Sequence, residues 1–126
     1  MLLENRYYRT ISRKTDGQQT VFRIAILPEC DVYKGHFPGD PVCPGVCNIE
    51  TIKECASAVA GRPLRITTIK QCRLTAIATP AVCPEADVTV TVANTADDTY
   101  SVQATIADAQ QTYMTFKGTM EADKKE

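Results

Sequence analysis

Three groups in one stretch of this chain could together move a proton and steady a negative charge: His36, the amides at Gly45-Val46, and Glu50. The stretch reads Tyr33-Lys34-Gly35-His36-Phe37-Pro38-Gly39-Asp40-Pro41-Val42-Cys43-Pro44-Gly45-Val46-Cys47-Asn48-Ile49-Glu50, and it holds the only histidine in the sequence. An imidazole exchanges a proton near neutral pH better than any other side chain. Its glycine- and proline-rich setting restricts the backbone, which is how a loop fixes the direction of a side chain. Taken by itself, His36 also reads as a surface or hydrogen-bonded core histidine. Gly45-Val46 begins a helical pattern, so its amides have no partner within the helix and sit at the positive end of the dipole, where an oxyanion is stabilised. The plainer reading of Pro44-Gly45 is a loop-to-helix corner. Glu50 lies one turn further on among mostly apolar residues, where an unpaired carboxylate is desolvated and holds its proton. Glu54, four residues later on the same face, opposes double ionisation and is the acid-tuning candidate. Both carboxylates read equally as exposed groups, with Lys53 available to pair with either.

These groups need elements to carry them. Arg6–Lys14 and Thr20–Leu27 read as two strands joined at Thr15-Asp16-Gly17, the second alternating Phe22, Ile24 and Ile26 with Val21, Arg23 and Ala25. Four prolines and three glycines between Pro28 and Gly45 forbid regular structure for most of that span. From Val46 a helix follows, with Val46, Ile49, Ile52 or Lys53, Ala56, Val59 and Ala60 on one stripe and Cys47, Glu50, Glu54 and Ser57 opposite. Gly61-Arg62-Pro63 ends it. The rest reads as strand: Leu64–Ala78, an interruption at Pro80–Pro84, Val88 to Val92, a turn over Asn94–Thr99, Tyr100 to Ile106, and about Thr112 to Met120. Two strands, one helix and about four further strands give an α+β domain with the helix on one face of an antiparallel sheet of about six strands. Open edges on such a sheet predict pairing with a second copy.

The 126 residues are expected to form one domain, 1–126, and 44% hydrophobic with 23% charged residues excludes a disordered chain. Fourteen Lys and Arg against fifteen Asp and Glu leave a net charge of -1, which argues against nucleic-acid and membrane-surface partners. No apolar run approaches the roughly 18 residues of a membrane helix and no signal segment is legible, so a cytoplasmic protein is expected. The six cysteines contain no CxxC pair, fit neither a zinc nor a redox motif, and are expected to be buried free thiols.

The stretch Gly35-His36-Phe37-Pro38-Gly39-Asp40-Pro41-Val42-Cys43-Pro44-Gly45, followed by Glu50, resembles the signature of the 3-hydroxyacyl-acyl-carrier-protein dehydratases of the hotdog fold. Pro80-Ala81-Val82-Cys83-Pro84 is similar to the family's mid-sheet loop. The resemblance implies a central helix wrapped by an antiparallel sheet, and homodimers with two sites at the subunit interface; assembly beyond the dimer, as a trimer of dimers, stays open. It also implies dehydration of 3-hydroxyacyl thioesters to trans-2-enoyl thioesters on an acyl carrier protein, in fatty acid or a related polyketide-like biosynthesis. By the same resemblance His36 takes the proton next to the thioester, Glu50 from the partner subunit protonates the departing hydroxyl, and the Gly45 amide polarises the carbonyl. Val46 and Phe37 complete the substrate-binding set. Neither metal nor organic cofactor is expected, because the thioester acidifies the proton removed.

Departures from the family pattern are Cys43 in place of methionine, Glu54 in place of a frequent glutamine, and Val32-Tyr33 before the glycine-histidine pair. An acidic carrier protein calls for basic residues at the tunnel mouth, with Lys34, Arg62, Arg65, Lys70 and Arg73 as candidates that a solvated charged face explains equally well. Two other readings stand beside the lyase: a thioesterase on the same fold, and a non-catalytic acyl-binding subunit.

Overall fold

The computed structural model describes residues 3–27, 45–76, 78 and 84–122. Strands β1 (Tyr8–Asp16) and β2 (Gln19–Ile26) precede helix α1 (Gly45–Ala60), and β3 (Leu64–Leu74), β4 (Glu85–Ala96), β5 (Thr99–Ala107) and β6 (Thr112–Ala122) follow it. All six strands join one antiparallel sheet in the order β1-β2-β4-β5-β6-β3. The α+β arrangement expected from the sequence is therefore present, with α1 packed against β3, β4 and β5.

Period-2 alternation decides which face of the sheet is apolar. Phe22, Ile24 and Ile26 on β2, Ala86, Val88 and Val90 on β4, and Val102, Ala104 and Ile106 on β5 are buried, as are Met114, Phe116 and Met120 on β6. Together with Ile52, Cys55 and Ala56 of α1 they form one core cluster. The β1–β2 connection is two residues long, between Asp16 and Gln19, and Gly17 takes φ +65° there, which glycine accepts without a Cβ clash. At the other end of α1, Gly61 adopts φ +76°. Its amide and that of Arg62 both donate to the Ser57 carbonyl, which closes the last turn of the helix.

Several boundaries differ from the sequence reading. The first strand starts at Tyr8 because residues before it form a turn: the amides of Arg6 and Tyr7 donate to the Leu3 carbonyl and Asn5 has φ +68°. β4 continues through Asn94 to Ala96, leaving only Asp97-Asp98 as the turn. Asn94 serves this longer hairpin, its Nδ2 donating to the carbonyls of Ala96 at 2.8 Å and Thr99 at 2.9 Å across a register shift. β3 stops at Leu74, after which the amide of Thr75 donates to the Tyr113 carbonyl. β6 runs two residues beyond Met120, to Ala122.

The helix is the larger correction. Glu54 and Ser57, placed on its polar stripe, are buried together with Asn48 and Thr51, whereas Val46 from the apolar stripe is 73% exposed. For Glu54 and Asn48 the cause is the chain before β1, which brings hydrogen-bond donors to them, and Ser57 is met by the start of β3, its Oγ accepting the Leu64 amide at 3.0 Å. The cysteines also depart from expectation. Cys55 and Cys72 are free thiols, but Cys72 is exposed and Cys47 is only half-buried, leaving Cys55 as the one buried cysteine among the described residues; Cys30, Cys43 and Cys83 lie outside them.

Candidate active site

Of the residues singled out above, Gly45, Val46, Glu50 and Glu54 are placed by the structure, and all four belong to α1. His36 and Phe37 lie outside the described residues, as does Lys34. Gly45 is the first helical residue, half-buried, and a Cβ added to it would touch Leu74 Cδ1 at 3.4 Å. The start of α1 therefore sits beside the end of β3. No acidic side chain stands in the first helical turn, which leaves its amides without a carboxylate of their own helix. Val46 and Leu74, both largely exposed, make this corner apolar.

Glu50 lies one turn further along α1, partly exposed, and its Oε2 is 3.3 Å from Lys53 Nζ. Of the two pairings left open by the sequence, Lys53 takes Glu50. The carboxylate borders a cavity of about 550 Å³ that continues past Lys53, Glu54 and Ser57 to Arg62, Leu64 and Arg65. Two of the basic candidates thus stand at this cavity, each with an acidic partner: Arg62 with Asp98 at 2.7 Å and Arg65 with Glu121 at 3.4 Å. A hydrogen bond to Tyr100 and then the one to Asp98 raise the Arg62 guanidinium further above its already high value. Lys70 and Arg73 are exposed on β3 and do not border the cavity.

Glu54 occupies a different environment from Glu50. Its Oε2 accepts the Leu3 amide at 2.9 Å, and its Oε1 accepts the Glu4 amide at 3.1 Å and the Tyr8 hydroxyl at 3.0 Å. A buried carboxylate is stable only when so satisfied. Burial, followed by the charges of Cys55 and Glu54, pushes the Tyr8 phenol well above its ordinary range. Burial and then the Glu54 charge push the Cys55 thiol up to about 12.

Sequence reasoning missed Tyr7 and Asn48. Tyr7 is fully buried and its hydroxyl donates to Asn48 Oδ1 at 2.8 Å, in the first turn of α1. Nothing in their spacing signals this, since the two are 41 positions apart. Among the described residues no three His, Cys, Asp or Glu side chains converge as a metal-ligand set, and no helix is long and apolar enough to cross a membrane.

Comparison with known proteins agrees with this architecture. Residues 12–118 match the ApeI-like family, described as ApeI dehydratase. A 3-hydroxyacyl-[acyl-carrier-protein] dehydratase FabZ from Lactiplantibacillus plantarum is 29% identical over 118 residues, covering 85% of this chain and 80% of that protein. Among solved structures, the dehydratase heterocomplex ApeI:P from Xenorhabdus doucetiae superimposes with a TM-score of 0.64 at 18% identity, over 90% of this chain and 96% of that one. An uncharacterised protein from Erwinia carotovora subsp. atroseptica reaches 0.56 at 14% identity, over 92% and 91%. At these identities the two structures speak for the fold, and the match over residues 12–118 speaks for the family. The helix that carries Glu50 thus belongs to a hotdog-fold protein, and the chain is a member of the ApeI-like dehydratase family.

Proposed function

We propose that residues 1–126 act as one unit that removes water from a 3-hydroxyacyl thioester held on an acyl carrier protein. His36 takes the proton from the carbon next to the thioester, and the electron pair moves toward the carbonyl oxygen, which the Gly45 amide steadies. The returning electrons form the double bond to the third carbon and expel its hydroxyl, which receives a proton from Glu50 of the partner subunit and leaves as water. The product is a trans-2-enoyl thioester. No metal or organic cofactor enters these steps, and Val46 and Phe37 supply apolar contact to the acyl chain.

The observation that carries this reading is the position of Glu50 at the rim of the 550 Å³ cavity, one turn from a helix start that lacks a carboxylate of its own. It is supported by membership of a dehydratase family and by the likeness to the FabZ protein, whose name states the 3-hydroxyacyl-carrier substrate. The test is formation of enoyl product from 3-hydroxybutyryl-carrier protein. Wild type is expected to turn over, with His36→Ala and Glu50→Gln each losing at least about a hundredfold, the usual share of a general acid or base. Full activity in His36→Ala would remove the imidazole from the reaction. Thiol release without enoyl product would make the chain a thioesterase, and carrier binding without turnover an acyl-binding subunit.

For assembly we infer a homodimer formed along β3. This edge strand exposes Ile69 and Leu74 and leaves a row of backbone groups open. A second reading of the partner comes from the Xenorhabdus doucetiae structure, which is a heterocomplex: the same edge would then take a non-identical subunit. A monomeric, inactive chain when produced alone would favour that second reading.

A further inference from the structure

Each charged group that borders the 550 Å³ cavity has a partner, and the partners sort them. Arg62 is held by Asp98 at 2.7 Å and Arg65 by Glu121 at 3.4 Å. Glu54 is closed in by the Leu3 and Glu4 amides and the Tyr8 hydroxyl, all of them uncharged donors. That leaves Glu50 and Lys53 to each other, with Oε2 and Nζ 3.3 Å apart. The two are one helical turn apart and both border the cavity, with side chains only 26% and 29% exposed. A surface pair at this spacing contributes little, because water surrounds both charges. At a cavity wall the substrate that fills the space removes that water, and the attraction between the two groups strengthens.

We propose that Lys53 is a positioning residue for the dehydration: its ammonium holds the Glu50 carboxyl at the cavity and receives the negative charge left there when that carboxyl gives up its proton. The inference rests on the reading of Glu50 as the acid. As the bond from the third carbon to its hydroxyl breaks, the electron pair goes to the oxygen and the proton comes from Glu50. Water leaves, and a carboxylate stays behind. Among the described residues, Lys53 is the cation within ion-pair distance of that carboxylate. The ammonium stands there before the proton moves, so the charge develops against a partner that does not have to reorganise. Neither arginine takes this part, since each is held by a carboxylate of its own. Lys53 itself touches no reacting atom. Because it lies on the same helix as Glu50, it accompanies the acid into whichever subunit interface receives it.

The test compares two leaving groups. With 3-hydroxybutyryl-carrier protein the departing oxygen needs a proton, whereas with 3-chlorobutyryl-carrier protein the chloride leaves with the electron pair and needs none. Lys53→Met keeps an unbranched apolar stem and a good helix former, so the cavity wall and α1 are retained. On the hydroxyl substrate it is expected to lower kcat about tenfold with KM within about twofold, the scale of one charge-assisted hydrogen bond. Lys53→Arg keeps the charge on a different head group and is expected to recover to within about threefold of wild type. On the chloro substrate the loss in Lys53→Met is expected to shrink to less than about twofold, because no charge then develops on Glu50. Equal losses on both substrates would make Lys53 a merely structural residue and overturn the inference. So would wild-type kcat in Lys53→Met beside an inactive Glu50→Gln. Full turnover of the hydroxyl substrate by Glu50→Gln would instead overturn the reading of Glu50 as the acid, and the role of Lys53 would fall with it.

Discussion

At the scale of single residues, Glu50 and Glu54 show how one helix gives two carboxylates different work. Both line the same cavity, but Glu50 is partly exposed with Lys53 beside it, whereas Glu54 is 2% exposed and closed in by three donors. Glu54→Gln replaces an acceptor with an amide that must face a backbone N–H, so it is expected to lower stability by about 1–3 kcal/mol in denaturant unfolding. If Glu54 acts instead by tuning the acid, the same variant will move the pH profile of kcat with little change in stability. Cys55 gives a pH prediction. Its thiol is raised in the folded protein from the ordinary 9.0 to about 12, so between those values the unfolded chain loses a proton that the folded chain keeps. Stability from this source is complete below pH 9 and is lost as pH rises toward 12, with Tyr8 adding a fall in the same direction above pH 10. Urea unfolding across pH 8–11 is expected to show this decline, and Cys55→Ala to flatten the part that begins near pH 9. A decline of equal slope in Cys55→Ala would assign it to other groups.

At the scale of elements, β3 depends on a close approach that a single methyl group tests. Gly118 on β6 lies so near the Thr68 carbonyl that an added Cβ would be 2.4 Å from the oxygen, and β3 shifts register on both sides of this contact, between Ile66 and Thr68 and between Ile69 and Gln71. Gly118→Ala must push backbone against backbone, and it is expected to cost about 1–3 kcal/mol and to speed amide exchange along β3 more than along β4. Uniform exchange rates would show that β3 adapts. The strands themselves were legible, because Val88, Val90, Val102 and Ile106 alternate with polar residues and burial follows that alternation. So was the end of α1 at Gly61. The buried polar side of α1 was not. Whether Asn48 or Glu54 is inside depends on Tyr7, Tyr8 and the Leu3 and Glu4 amides, between 41 and 51 positions away, and helical periodicity carries no information about them.

At the scale of the whole molecule, three of the four large exposed apolar side chains among the described residues lie on the β3 side, where a second subunit would serve, and the fourth, Ile11, is on β1. Leu74 at the end of β3 lies beside Gly45, next to Val46 at the start of α1, and Ile69 lies on the same edge strand. Light scattering is expected to give about twice the mass of the 13.8 kDa chain. Ile69→Lys is expected to halve that mass and remove turnover together. A fully active monomer would place both chemical groups in one chain. The most direct measurement of the account mixes two inactive variants, His36→Ala and Glu50→Gln, under conditions that exchange subunits. If base and acid come from different copies, each mixed dimer regains one intact site of two, and an equal mixture recovers about a quarter of wild-type dehydration. No recovery, in a mixture shown by mass to contain mixed dimers, would contradict a site built between two copies of this chain.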